Sequence, residues 1–235
     1  MSSNESRKMR KNEYPGMALK IFFSLLLVIA IIFIPAGRID YWQGWLYSGI
    51  TALCVLISAI VFASRMDLVR ERQKPGPGTK WWDKIFWAFY GPTFFAIAIV
   101  ASLDAGRFGW TPHLPVAVYI ISGMVFVLSI FTYSWAMWVN RFFSSVVRIQ
   151  KDRGQEVVQN GPYHFVRHPG YVGGILMAIS TSLVLGSLWA LIPAGVIFIL
   201  LVIRTYLEDT TLQKELTGYA DYAKKVRFRL LPGIW

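Results

Sequence analysis

Five long apolar runs dictate what this chain can become. Residues 18–36, 44–63, 85–103 and 115–139 each approach or exceed the roughly 20 residues with which a helix crosses about 30 Å of hydrocarbon. The fifth run, 171–203, is broken only by Gly186-Ser187 and is too long for one crossing. It reads as a hairpin of two short helices. Backbone in lipid must satisfy its own polar groups, so the turn is expected near the far interface or inside the bundle. The expected fold is therefore all-α: a polytopic transmembrane helical bundle of four spanning helices, then a transmembrane hairpin. Gly91-Pro92 is expected to kink the third span.

Basic residues give this bundle a direction. Of 24 Lys and Arg, 22 fall in residues 1–20, 64–84, 141–170 and 204–235, leaving Arg38 and Arg107 for the other side. Six crossings return the chain to its starting side, so segment count and charge bias both place the N- and C-termini in the cytosol. The basic N-terminus has no small-residue cleavage site, and its first run is long enough to span, so it reads as a membrane helix and not as a removed signal. The net charge of +11 could suggest nucleic acid, but the basic residues flank apolar spans and form no separate basic domain. Charged residues make up 16% of the chain against about 25% in soluble domains, which excludes an ordinary soluble enzyme.

Residues 1–235 read as one integral membrane domain, with four spans over 18–139 and a more polar region over 140–235. Cys54 stands alone in mid-span, which excludes intramolecular disulfides and cysteine-rich metal sites; it reads as a small core hydrophobe. No metal centre is expected. Lys74-Pro75-Gly76-Pro77-Gly78 is a turn-rich connector, and Trp81, Trp82 and Trp87 beside it fit an interfacial aromatic belt.

The chemistry-bearing residues lie in the last hundred positions. Ser145 to Val158 leads into Gly161-Pro162-Tyr163-His164-Phe165-Val166-Arg167-His168-Pro169-Gly170-Tyr171. Gly161-Pro162 forces a turn, and Pro169-Gly170 stops any preceding helix, so Arg167 and His168 sit in irregular backbone at the mouth of the hairpin. Such backbone suits capture of a polar cofactor; it also suits a basic interfacial loop whose Pro merely starts the next helix. At the end of the sixth span Arg204 and Glu208 stand four residues apart, as an intrahelical pair or as groups turned toward a polar cavity. The hairpin brings them back beside residues 161–171. Residues 210–225 mix Leu212, Leu216, Tyr219 and Tyr222 with Lys214, Lys224 and Lys225, the pattern of an interfacial amphipathic helix. His113 and His164 read as loop and surface residues without a role.

Together, Gly161-Pro162-Tyr163, Arg167-His168-Pro169-Gly170-Tyr171, Arg204-Thr205 with Glu208, Leu212, and Gly218-Tyr219 with Tyr222 resemble the isoprenylcysteine carboxyl methyltransferases and the related phospholipid methyltransferases. The resemblance covers about residues 145–235. It implies a membrane enzyme using S-adenosyl-L-methionine, releasing S-adenosyl-L-homocysteine, and acting on a lipophilic small molecule or prenylated substrate among membrane lipids. It implies cofactor contacts at Arg148, Gln155, Glu156, Val157, Val158, Tyr163, His168, Pro169, Gly170, Tyr171 and Glu208. Arg204 would meet the substrate, with Arg204 and Glu208 as the catalytic pair and His168 orienting the cofactor. Gln155 stands where family members often carry His, and Glu208-Asp209 where they carry two glutamates. A phospholipid N-methyltransferase and a sterol-reductase-like NADPH enzyme are the competing readings; a transporter would call for charges deep in the spans or an internal repeat, and neither is visible.

Overall fold

The computed structural model describes residues 3–73 and 78–235, so residues 74–77 of the turn-rich connector lie outside the described residues. Among the described residues there are eight α-helices and no strand. They are α1 (Ser3–Ala36), α2 (Trp42–Phe62), α3 (Met66–Gln73), α4 (Trp81–Ala101), α5 (Val116–Val139), α6 (Pro169–Val184), α7 (Leu191–Glu215) and α8 (Tyr219–Lys225). Five stretches among the described residues are long and apolar enough to cross a membrane: Gly16–Ala36, Trp42–Arg65, Trp81–Phe108, Val116–Val139 and Leu191–Glu215. The chain is an integral, multi-pass membrane protein. Its many exposed Leu, Ile, Phe and Trp side chains form the surface that lipid covers.

The expected hairpin is present but unequal. Helix α6 has 16 residues, whereas α7 has 25 and runs well past Ile203. The turn lies inside the bundle: Leu185, Ser187 and Ala190 are fully buried, and Gly186 takes φ 79°. Asp104, in the π-helical turn Ser102–Phe108 that follows α4, secures it. The Asp104 carboxylate accepts hydrogen bonds from Ser187 Oγ (2.5 Å), Thr111 Oγ1 (2.5 Å) and Thr111 N (2.7 Å). Tyr41 donates to the Leu185 carbonyl from the start of α2. A buried carboxylate so fully partnered is a structural fastening.

Close helix contact rests on small residues, as expected in a bundle without a hydrophobic drive between helices. A Cβ at Gly173 of α6 would lie 2.8 Å from the Ser129 carbonyl oxygen of α5, and one at Gly106 would lie 2.8 Å from Ala36. Ile32, Ile97, Phe126, Leu185 and Ile197 fill the core between these contacts. Cys54 is buried and free.

Residues 210–225 depart from the expected single amphipathic helix. Residues 210–215 complete α7, Gly218 turns the chain at φ 82°, and α8 contributes only seven residues. The physical reason is that Leu216, Tyr219 and Tyr222 pack on Tyr163, Val157 and Val158 of the preceding loop, and so are unavailable to a lipid surface. Pro92 lies inside a continuous α4, and the irregular backbone comes later, in the π-turn.

Candidate functional site

The long irregular segment between α5 and α6 is built around side-chain hydrogen bonds to its own backbone. Gln155 Oε1 accepts from Gln150 N (2.6 Å), and Gln150 Nε2 donates to the Phe142 carbonyl (2.6 Å). Arg148 pairs with Asp152 (2.8 Å), a contact that holds the Asp152 carboxyl below the usual carboxylate range. Glu156 pairs with Arg141 at an exposed position (3.0 Å). Val157 and Val158 pack against Tyr163, whose hydroxyl accepts from Asn140 Nδ2 (3.2 Å) and whose phenol burial pushes upward in pKa.

The Arg167-His168-Pro169-Gly170 stretch is pinned from the opposite side by the C-terminal segment. Arg167 N donates to the Phe228 carbonyl (2.9 Å) and His168 N to the Arg229 carbonyl (3.0 Å). Arg167 grips Asp209 with Nε (2.8 Å) and Nη2 (3.0 Å), while Arg229 Nε (2.9 Å), Tyr219 Oη (3.0 Å) and Gln213 Nε2 (2.8 Å) complete the shell of this fully buried carboxylate. His168 Nε2 lies 3.4 Å from both Asp209 and Tyr219 Oη, and its ring stacks on Tyr171 at 5.6 Å. Pro169 opens α6 and Gly170 lets Phe143 approach to where a Cβ would sit, at 2.8 Å. Tyr171 donates its hydroxyl to Glu208 of α7.

These elements enclose one cavity of about 330 Å³. Arg148, Gln155, Glu156, Val157, Val158, Tyr163, His168, Pro169, Gly170, Tyr171, Arg204 and Glu208 all line it, so every residue singled out from the sequence is brought to one place. An apolar part of its wall comes from the spans: Phe86, Tyr90 and Phe94 of α4, Met177 of α6 and Leu201 of α7. His113 and His164 are exposed and take no part. The cavity can thus hold a polar molecule along the loop and an apolar one along the helices.

Comparison with known proteins gives this geometry a context. Residues 117–217 match the phospholipid methyltransferase family, a stretch that runs from α5 through the cavity loop to the end of α7. Residues 117–217 belong to that family. The fold of the chain is similar to that of a eukaryotic intramembrane Ras methyltransferase, isoprenylcysteine carboxyl methyltransferase. The two share 19% identity and a TM-score of 0.54, with 89% of this chain and 74% of the other covered. No curated protein matches the sequence significantly.

The lining of the cavity can be set against the chemistry of S-adenosylmethionine. Arg148 and Arg204 both carry a buried Nε without a hydrogen-bond partner, and Glu208 lines the same cavity as an acceptor. Cation donors, a carboxylate and an aromatic wall suit a zwitterionic nucleoside cofactor.

Two residues of consequence escaped the sequence reading. Arg204 does not use Glu208 as its ion-pair partner: its guanidinium pairs with Asp83 of α4 (2.9 Å), donates to the Ser145 carbonyl (2.7 Å) and stacks on Phe86 (4.2 Å). Glu208 is thereby left to Tyr171. Asp83, fully buried, also accepts from Val147 N (2.9 Å). Asp209 is the second: it appears in the sequence only as a variant of an acidic pair, yet it is the hub of the loop's anchorage. Trp87, read as belt, lines the cavity and donates to the Ser145 carbonyl (3.0 Å). The residue types gave no signal: Asp83 and Val147 are 64 positions apart, and the partners of Asp209 are scattered between 4 and 42 positions from it.

Proposed function

We propose that this protein is a methyltransferase that moves a methyl group from S-adenosylmethionine to a carboxylate on a lipophilic acceptor, at the boundary of membrane and cytosol. One observation carries this reading: a single cavity has a polar loop wall and an apolar wall of membrane-span side chains. A charged, water-soluble cofactor and a lipid can reach each other only in such a place. Residues 140–235 form the cofactor-binding region, the spans of 18–139 support it, and both termini face the cytosol.

Arg148, the backbone and side chains of Gln155 to Val158, Tyr163, His168 to Tyr171 and Glu208 would hold the cofactor. Bound S-adenosylmethionine supplies an electrophilic methyl on a sulfonium centre. Displacement in line requires alignment above all, and the fixed loop supplies it. A carboxylate acceptor is ionised at neutral pH and needs no general base. Arg204 orients that carboxylate; Asp83 shares the Arg204 charge and so limits how tightly the acceptor oxygen is held. His168, stacked on Tyr171, orients the cofactor.

A second reading, methylation of a phospholipid amine, is favoured by the family of residues 117–217. An amine must lose a proton, a task that would fall to Glu208. The two readings are separated by incubating the purified protein with methyl-labelled S-adenosylmethionine and either S-farnesyl-N-acetylcysteine or phosphatidylethanolamine. Label released by mild base from the farnesyl acceptor supports carboxyl methylation; base-stable label on the phospholipid contradicts it.

A further inference from the structure

Arg72 is a cation whose setting the account above does not explain. Helix α3 brings it to the cavity wall, where its guanidinium lies 5.0 Å from the ring centre of Tyr133 and 5.6 Å from that of Phe143. Its buried Nε has no hydrogen-bond partner, and among the described residues no carboxylate accounts for its charge. Burial, and after it the charge of Arg204, pull its guanidinium below the ordinary value. Arg204, across the same cavity, also leaves its Nε unpartnered.

Ser145 ties the two arginines together. Its N (3.1 Å) and Oγ (2.7 Å) donate to the Arg72 carbonyl, while its own carbonyl accepts from Arg204 Nη2 (2.7 Å). The acids nearby are occupied: Asp83 pairs with Arg204, and Glu208 accepts from Tyr171. Two guanidinium groups with buried, unpartnered Nε atoms line one cavity, and a ligand that brings negative charge lowers the cost of their desolvation. Tyr90 and Tyr171 lie within electrostatic reach of Arg72, and Phe94 and Met177 continue the wall. Arg148, by contrast, faces Asp152 in the polar loop. An anion held there therefore belongs to a molecule whose remainder is apolar.

We infer that Arg72 and Arg204 form a two-guanidinium clamp for the oxyanion of the acceptor, and that Arg72 is its specificity-determining member. The inference rests on the methyltransferase reading and sharpens it: the acceptor is a lipid carboxylate, selected over neutral lipids before any methyl is moved. A planar guanidinium held over aromatic rings is pre-oriented for a carboxylate in a way that a lysine is not.

The test is binding of S-farnesyl-N-acetylcysteine and of its carboxamide to the full chain in nanodiscs saturated with S-adenosylhomocysteine. Wild type, Arg72→Gln and Arg72→Lys are compared, and S-adenosylhomocysteine affinity is measured separately for each. Wild type is expected to prefer the carboxylate by about tenfold or more, as for hydrogen bonds to charged groups. Arg72→Gln should abolish the preference and Arg72→Lys keep part of it, with S-adenosylhomocysteine affinity unchanged. Short-chain phosphatidylethanolamine is the third probe: Arg72-dependent binding of it in place of the carboxylate keeps the clamp and identifies the anion as a phosphodiester. An equal preference in wild type and Arg72→Gln overturns the inference and leaves the methyltransferase reading standing. Loss of S-adenosylhomocysteine binding in both variants also overturns it, by assigning Arg72 to the cofactor. Absence of S-adenosylhomocysteine binding by wild type defeats the parent reading, and the clamp with it.

Discussion

Asp83 and Arg204 meet at 2.9 Å between α4 and α7, with Asp83 fully buried and Arg204 nearly so. This pair joins the wall of the cavity to the span that carries Glu208. Removing one partner strands a buried charge, which typically costs about 3–5 kcal/mol. Asp83→Ala should therefore lower the thermal midpoint of the detergent-purified protein steeply. The double variant Asp83→Asn/Arg204→Gln should recover much of that stability while remaining inactive. Recovery of activity as well would show that Arg204 serves only the fold.

Asp209 and His168 touch, yet they should behave differently when changed. Asp209 satisfies two arginines, a tyrosine and a glutamine, so Asp209→Ala leaves several buried donors unpartnered and should destabilise by about 3–5 kcal/mol. His168 makes only long contacts of 3.4 Å and a ring stack. His168→Ala should keep the thermal midpoint within a few degrees and weaken S-adenosylhomocysteine by about tenfold, the cost of one good hydrogen bond. Thermal unfolding and calorimetry on both variants check the contrast.

Gly173 sits where α6 passes closest to α5. A Cβ there meets the Ser129 carbonyl oxygen at 2.8 Å, and backbone cannot step aside cheaply, so Gly173→Ala should destabilise by about 1–3 kcal/mol. Gly195 in α7 has open space around its Cβ position, and Gly195→Ala should be neutral or slightly stabilising. Comparing the two thermal midpoints separates helix contact from helix propensity.

The proposed orientation has its own check. Arg38 and Arg107 lie at the end of the bundle that holds the hairpin turn, with the Arg107 guanidinium 3.5 Å from a Cβ at Gly37. Cysteines placed singly at exposed positions within 104–114 and within 141–160 of a Cys54→Ala background should react with an impermeant thiol reagent from opposite sides of the membrane. Labelling from the same side would contradict the topology.

Much of this was legible in the sequence, and the reason is physical. Length and apolarity alone determine where helices can span lipid, so residues 44–63 and 115–139 agree with α2 and α5 to within about two residues. Arg167-His168-Pro169-Gly170 was legible because Pro and Gly leave few backbone choices. What escaped were partnerships across the fold. Nothing at position 83 distinguishes an interfacial Asp from the buried partner of Arg204, and nothing at 209 announces five hydrogen-bonding neighbours. Likewise, the apolar side of 210–225 looks the same whether lipid or Tyr163 covers it; the Gly218 turn decides for Tyr163.

The central claim is that this cavity binds S-adenosylmethionine through Glu208 and the loop opposite. Its most direct test is calorimetric titration of the purified protein, and of Glu208→Ala, with S-adenosylhomocysteine and with NADPH. The account predicts saturable binding of S-adenosylhomocysteine by wild type, weakened at least about tenfold in Glu208→Ala, and none of NADPH. Binding of NADPH in place of S-adenosylhomocysteine, or S-adenosylhomocysteine binding indifferent to Glu208, would contradict it.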